Sequence, residues 1–218
     1  KLVEIEPTPK LINEPAEMVH IPAGEYDFQV SGVEIEGYLW AGADVQYPWE
    51  ETPRRFHQKH MEMKAYCIDR FPVTNADFQV FLQAADYHPK DDHNFLLDWV
   101  DGKPQAGWEN KPVTWVSMED ARAYAQWAGK RLPREWEWQY AAQGNDGRSF
   151  PWGNNWDAQA VPAINTSRHH LPLADVDAHP SGASPFGVMD LVGNIWQWTD
   201  EHRDEHTRTA TLRGGCSY

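Results

Sequence analysis

Residues 110–144 read NKPVTWVSMEDARAYAQWAGKRLPREWEWQYAAQG, a stretch that encodes two helices with recognisable ends. Ser117 is suited to cap the first helix, and Asp120 three residues later adds negative charge to its first turn, as in a capping box. Apolar side chains then recur at helical spacing at Met118, Ala121, Tyr124, Ala125 and Ala128. Gly129 stands where a left-handed residue would end that helix.

A second helix follows within the same stretch. Pro133 suits the first turn of a helix, because a backbone N–H in that turn has no intrahelical partner. Trp136, Tyr140 and Ala141 then fall on one side, and Gly144 stops the pattern. We therefore expect two short amphipathic helices joined by a tight connection.

The other periodic segments are also short. Thr74 or Asn75 is predicted to cap a third helix, in which Phe78, Phe81, Leu82 and Ala85 recur at helical spacing. Strands are predicted at Met18–Pro22, Glu25–Val30 and Met61–Asp69. The segment between Gly32 and Phe56 has no sustained period, and we interpret it as a long hairpin or a loop insertion.

Residues 110–144 resemble a hallmark segment of the formylglycine-generating enzyme (sulfatase-modifying factor) family, and the resemblance extends along most of the chain. The other matching blocks occur in family order: MVHIPAG at 18–24, IDRFPVTN at 68–75, FPWG at 150–153, FGVMDLVGNIWQWT at 186–199 and LRGG at 212–215. Such a series of blocks is more specific than any one of them. The series of blocks predicts the fold, whereas the activity has to be argued from the residues of the functional site.

The resemblance implies an α+β fold that is irregular and rich in loops. We expect a single formylglycine-generating-enzyme-like domain, related to C-type lectins, with about three helices and short antiparallel strands. It would occupy residues 18–218, preceded by a linker or N-terminal extension at 1–17, which holds three of the 16 prolines. The family's C-terminal closing segment is expected to lie beyond the last residue.

Composition limits the classes of partner. The formal net charge is −14, so the basic surface that nucleic acid requires is missing, and an anionic membrane surface is disfavoured. The sequence has no apolar run of membrane-spanning length and no signal-peptide core. Two cysteines do not decide the compartment, so bacterial cytoplasm and export both stay open. Twelve tryptophans at a mean hydropathy of −0.71 predict a core of large aromatic side chains and loops pinned by indole N–H groups.

A copper site is implied by the resemblance. In formylglycine-generating enzymes two cysteines shortly after Arg-Gly-Gly-Ser bind copper and oxidise a substrate cysteine with dioxygen, and soft thiolates suit Cu(I). Here Cys216 directly follows Gly215 and takes the serine position, so the copper-binding pair is expected beyond Tyr218. Cys216 is the catalytic candidate within the chain; the alternative is an inert, partly buried structural cysteine.

Structural calcium is also implied by the resemblance. The family holds one ion around its Gly-Asn-x-Trp-Glu segment, which corresponds here to Val192, Gly193, Asn194 and Ile195, with Gln197 in place of the glutamate. An amide keeps an oxygen ligand but removes its charge, so calcium affinity should fall. The alternative is a loop braced by Asn and Gln hydrogen bonds alone. Asn165 corresponds to an asparagine ligand of a second family site.

Two groups of aromatic residues could contact a ligand. Those in the matching blocks are interpreted as core residues: Trp136, Trp138, Trp152, Trp196 and Trp198. Those in the irregular insertion have no implied core role, and we predict a recognition surface there, formed by Tyr38, Trp40, Tyr47 and Trp49.

Three functions follow from the resemblance. The first is oxygen-dependent oxidation of a cysteine in a peptide or protein substrate to formylglycine. The second is a non-catalytic domain of the same fold that binds a carbohydrate, peptide or protein, which the replacements at Cys216 and Gln197 favour. The third is kinship with the iron-dependent sulfoxide synthases, which share the fold but draw their iron ligands largely from an additional helical domain.

Overall fold

The elements of regular structure are short and widely spaced along the chain. The computed structural model describes Thr8, Trp49 and residues 13–32, 35–36, 43–44, 55–163, 173–204 and 209–215. Strands and helices follow in the order β1 (Met18–Ile21), β2 (Gly24–Gly32), β3 (Ile35–Glu36), β4 (Ala43–Asp44), β5 (Arg55–Met63), β6 (Tyr66–Asp69), α1 (Asn75–Ala85), α2 (Met118–Trp127), α3 (Glu135–Gln143), β7 (Gln197–Asp204) and β8 (Thr209–Arg213). A 3₁₀ turn at Pro180–Gly182 precedes β7. The α+β class with three helices is confirmed.

In the described residues, the strands pair only in twos, as antiparallel ribbons: β1 with β6, β2 with β5, β3 with β4 and β7 with β8. The longest ribbon runs from the Gly24–Met63 pair to the Gly32–Arg55 pair, and β3 and β4 pair farther out. Of the two readings of the insertion, the structure therefore has the long hairpin.

The predicted single strand Met61–Asp69 is wrong, because the chain changes partner within it. Met63 ends β5 opposite Gly24 of β2, whereas Tyr66 begins β6 opposite Ile21 of β1. Both β2 and β1 need an antiparallel neighbour, and two residues are enough to move from one to the other. Apolar alternation continues across the break, which is why periodicity did not reveal it.

Capping residues fix the helix starts. The Thr74 hydroxyl accepts a hydrogen bond from Asp77 N (3.1 Å), and the Asp77 carboxylate accepts one from Thr74 N (3.2 Å). Ser117 and Asp120 form the same reciprocal pair at α2. The Ser117 cap is therefore confirmed, and of the two residues predicted to cap α1 the structure has Thr74. The third helix begins later than predicted, at Glu135.

Pro133 therefore precedes the N-cap, Arg134, instead of lying in the first turn of α3. The Glu137 carboxylate closes this end by accepting a hydrogen bond from Arg134 N at 2.8 Å. The predicted helix ends after α2 and α3 fit the structure, because Gly129 and Gly144 both have φ of 70°.

Two clusters of buried side chains hold these elements together. The main cluster packs α3 against the bases of the first two ribbons, with Tyr140, Tyr26, Ile21 and Met63 among its members. The second surrounds α1 and α2, and its fully buried members are Phe78, Phe81 and Leu96. Aromatic rings therefore form much of the apolar interior, as the composition predicted.

Indole N–H groups tie loops to distant parts of the chain. Trp198 Nε1 donates to Val116 O at 3.1 Å, Trp99 Nε1 to Asn75 Oδ1 at 2.9 Å, and Trp138 Nε1 to Gln197 Oε1 at 2.8 Å. These bonds do for the loops what strand ladders do in a sheet, because they satisfy polar groups that would otherwise be buried without partners.

Candidate functional site

The loop that enters β7 holds most of the residues expected to bind calcium. Asn194 is 2% exposed and both atoms of its amide are engaged. Its Oδ1 accepts from Ala174 N at 3.1 Å, and its Nδ2 donates to Ala174 O at 3.1 Å and to Asp190 Oδ2 at 2.8 Å. Asn194 therefore fastens this loop to the chain at Ala174.

At the other end of the loop, both polar atoms of the Gln197 side chain also form hydrogen bonds. Its Oε1 accepts the indole N–H of Trp138 on α3, and its Nε2 donates to Asp190 O at 2.8 Å. Calcium binds through oxygen atoms. Because the Gln197 oxygen already accepts an indole N–H and its nitrogen faces the loop carbonyl, this side chain does not fit the role of a calcium ligand.

The loop backbone approaches the end of β8 closely. Gly214 has φ of 94°, and a Cβ built on it would lie 2.8 Å from Ile195 O and 3.3 Å from Leu191 O. Gly193 is also left-handed, with φ of 88°. Val192, Gly193, Asn194, Ile195 and Gln197 thus lie in one loop that packs against Gly214 at the end of β8, and calcium binding by these residues stays a prediction.

Asp190 is a carboxylate of this loop that the sequence analysis missed. Its backbone is left-handed, with φ of 55°, which returns its side chain to Asn194 four residues later. Burial raises the pKa of Asp190 to about 6, while the hydrogen bond from Asn194 acts in the opposite direction. The signal in the sequence was an acid two residues before a Val-Gly-Asn turn, which is too common to identify a site.

The expected core role holds for some tryptophans of the matching blocks and fails for one. Trp138 is 8% exposed and packs in the main cluster, but Trp196 is 51% exposed. The prediction of a buried Trp196 is wrong, because Gln197 takes the inward position beside it in order to reach Trp138. Gln197 pairs with Arg213 across the β7–β8 ribbon, so Trp196 is level with Gly214 at the end of β8.

A cavity of about 210 Å³ lies between α3 and the turn at Phe150. Trp138, Gln139, Arg148, Phe150 and Arg213 are among the residues that line it. Its two guanidinium groups are already paired, Arg213 with Glu135 and Arg148 with Asp146. The lining residues come from separate segments without a common motif, so sequence reasoning did not assemble them.

Several expected site residues lie outside the described residues: Cys216, Asn165, Tyr38, Trp40 and Tyr47. The copper site, the second calcium site and the aromatic recognition surface therefore stay predictions. Trp49 is described, and it is 74% exposed. The other cysteine, Cys67, is half-buried in β6, and burial raises the pKa of its thiol, which disfavours the reactive thiolate.

Within the described part of the chain, no three side chains of His, Cys, Asp or Glu come together in a group able to hold a metal ion. Over the same residues, no helix is both long and apolar enough to cross a lipid bilayer.

The chain matches known proteins over most of its length. Residues 3–218 match the family model of the sulfatase-modifying factor enzyme 1-like domain. The chain is 29% identical to the formylglycine-generating enzyme of Mycobacterium tuberculosis, over 92% of this chain and 79% of that protein. It is also 29% identical to the inactive C-alpha-formylglycine-generating enzyme 2 of Mus musculus, over 84% of this chain and 68% of that protein.

A solved structure agrees at the level of the fold. PvdO from Pseudomonas aeruginosa superposes with a TM-score of 0.58 at 21% identity, over 91% of this chain and 76% of that one. The chain belongs to the sulfatase-modifying factor family of formylglycine-generating-enzyme-like domains. It spans 41% of the length of another relative, YfmG of Bacillus subtilis, at 28% identity.

Proposed function

We propose that this chain forms the substrate-binding and catalytic domain of an enzyme of the formylglycine-generating type, which oxidises a cysteine of a peptide or protein substrate with dioxygen. The observation that carries the proposal is the surface at the end of β8. The chain passes from Gly214 and Gly215 directly to Cys216, the catalytic candidate. Trp196, half exposed, is level with Gly214 and offers an apolar anchor for a substrate peptide beside that point.

The described residues would bind and orient the substrate. Copper, held by the cysteine pair that the family resemblance implies, would supply the activation of dioxygen. Gly214 supports this arrangement, because its close approach to Ile195 O leaves no room for a side chain and holds the end of β8 against the loop that carries Trp196.

A direct assay tests the proposal. The natural full-length protein, loaded with copper, is incubated with a cysteine-containing peptide, and the aldehyde is captured with a hydrazide and identified by mass spectrometry. We expect Cys216→Ala to abolish the product and Cys67→Ala, the matched control, to retain it. Copper-loaded protein that leaves the peptide thiol unchanged would refute the activity.

Trp196 has its own expected effect. Trp196→Ala should raise KM for the peptide by about tenfold with a smaller change in kcat, because an anchor outside the reacting atoms contributes binding in both the ground and transition states. Trp156, 50% exposed on a different loop, provides a matched Trp→Ala control that should leave KM unchanged.

A second candidate is a non-catalytic binding domain. Two observations favour it: the inactive mouse relative is as similar to this chain as the mycobacterial enzyme is, and Trp49 of the long hairpin is 74% exposed. Carbohydrates and peptides both use exposed tryptophan as a contact. A glycan array and a peptide array, each probed with the protein and its Trp49→Ala variant, test it. Turnover in the peptide assay with no array signal that depends on Trp49 would eliminate this candidate.

A further inference from the structure

The loop between Asp190 and Gln197 is braced at three points by side-chain amides. Asn194 accepts a hydrogen bond from the backbone N–H of Ala174 and donates one to its carbonyl oxygen. Gln197 accepts one from Trp138 on α3 and donates one to Asp190 O. At the third point, a fifth hydrogen bond joins Asn194 to the Asp190 carboxylate. All four polar atoms of these two side-chain amides are thus engaged in hydrogen bonds.

The orientation of the Gln197 amide is determined by its two partners. Trp138 Nε1 can only donate and Asp190 O can only accept. With the oxygen toward the indole and the nitrogen toward the carbonyl, both bonds form at 2.8 Å. The opposite orientation would set an N–H₂ group against the indole N–H and an oxygen against the carbonyl oxygen, so neither bond would form.

We infer that the Gln197 amide takes the place of a cation in this loop, so that the stability of the loop is independent of calcium. This differs from the calcium site implied by the family resemblance, and it holds whether or not the protein is an enzyme. The N–H₂ group presents partial positive charge to Asp190 O, as a cation bound there would.

A glutamate at position 197 would replace the favourable contact with Asp190 O by a repulsive one. One carboxylate oxygen could still accept the Trp138 N–H, but the other would face Asp190 O with no hydrogen between them. Two acceptors at that distance repel each other unless a cation or a proton lies between them. Gln197→Glu should therefore create a requirement for calcium where none exists now.

The test compares melting temperatures of the full chain in excess chelator and in about 1 mM calcium, a concentration at which weak protein sites are occupied. For Gln197→Glu we expect calcium to raise the melting temperature by about 1–6 °C, the shift produced when the calcium concentration is about 1- to 10-fold above the dissociation constant of the site. The matched control is Gln58→Glu, which adds the same charge at an exposed position of β5. The wild type and this control should show one small, equal shift.

Gln197→Met provides a second test that does not depend on whether the charged variant folds. It keeps the length of the side chain and removes both hydrogen bonds, so it should melt lower than the wild type by the same amount in chelator and in calcium. A calcium-induced shift that is present in the wild type and lost in Gln197→Met would overturn the inference, because it would make Gln197 a ligand. A Gln197→Glu variant that responds to calcium no more than Gln58→Glu does would overturn it as well.

Discussion

Asn75 joins the start of α1 to the irregular segment before α2, and removing its side chain should strongly destabilise the protein. The residue is 1% exposed. Its Nδ2 donates to Trp108 O at 2.9 Å and to Lys111 O at 3.2 Å, and its Oδ1 accepts from Trp99 Nε1 at 2.9 Å. One amide thus satisfies three groups that belong to other parts of the chain.

The cost of Asn75→Ala follows from what each partner keeps. Lys111 O still accepts from the backbone N–H of residue 75 at 2.9 Å, and Trp108 O still accepts from the backbone N–H of Lys111 at 3.1 Å. One group therefore loses its hydrogen bond, the indole N–H of Trp99. Leaving a buried polar group unpaired costs about 1–3 kcal/mol. For a chain of this length the melting temperature should fall by about 2–12 °C.

Urea unfolding followed by tryptophan fluorescence measures the change, and an unchanged slope would show that the loss lies in the folded state. Asn145→Ala is the matched control: Asn145 is exposed after α3, and its replacement should stay within about 0.5 kcal/mol of the wild type. If Asn75→Ala and Asn145→Ala unfold at the same urea concentration, the bonds of Asn75 contribute nothing and the reasoning fails.

Two further predictions rest on local geometry. Gly182→Ala should destabilise the protein several-fold more than Gly147→Ala, because a Cβ on Gly182 would overlap the carbonyl oxygen of Ala160. Gly147 faces open space, so Gly147→Ala should cost only about 1–2 kcal/mol, the strain that its φ of 71° imposes on alanine. Equal melting temperatures of the two variants would contradict this. The hydrogen bond between His60 and Asp27 raises the pKa of His60. The contribution of this bond to stability is therefore complete below the ordinary histidine pKa and is lost as the pH rises through the raised pKa. Asp27→Asn should return the pKa of His60 toward that ordinary value, as an NMR titration of its ring protons would show, and an unchanged midpoint would contradict the prediction.

The parts of the fold that the sequence predicted well are the parts that local chemistry determines. Ser117 and Thr74 cap their helices because each is followed three residues later by an aspartate, and both ends of that bond lie within one turn. The family blocks supplied the α+β class. The general expectation that indole groups pin loops also holds.

The parts that could not be predicted depend on partners far along the chain. Trp198 donates to a carbonyl 82 residues away, and nothing near Trp198 indicates which one. Asp190 joins the candidate site through a left-handed backbone, which sequence patterns rarely reveal in a residue other than glycine. Trp196 is exposed because its neighbour Gln197 bonds to Trp138, and that bond exists only once α3 is in place.

The long ribbon of β2 and β5 has a consequence for behaviour at high concentration. Each strand runs for nine residues and, over the described residues, pairs with no third strand, so both outer edges present backbone groups to the surroundings. Such edges invite copies of a protein to join strand to strand. Glu25, Asp27, Lys59 and Glu62 are exposed along the ribbon, and their charges oppose that association. Neutral β-branched residues at these four positions would turn the ribbon into a seed for aggregation.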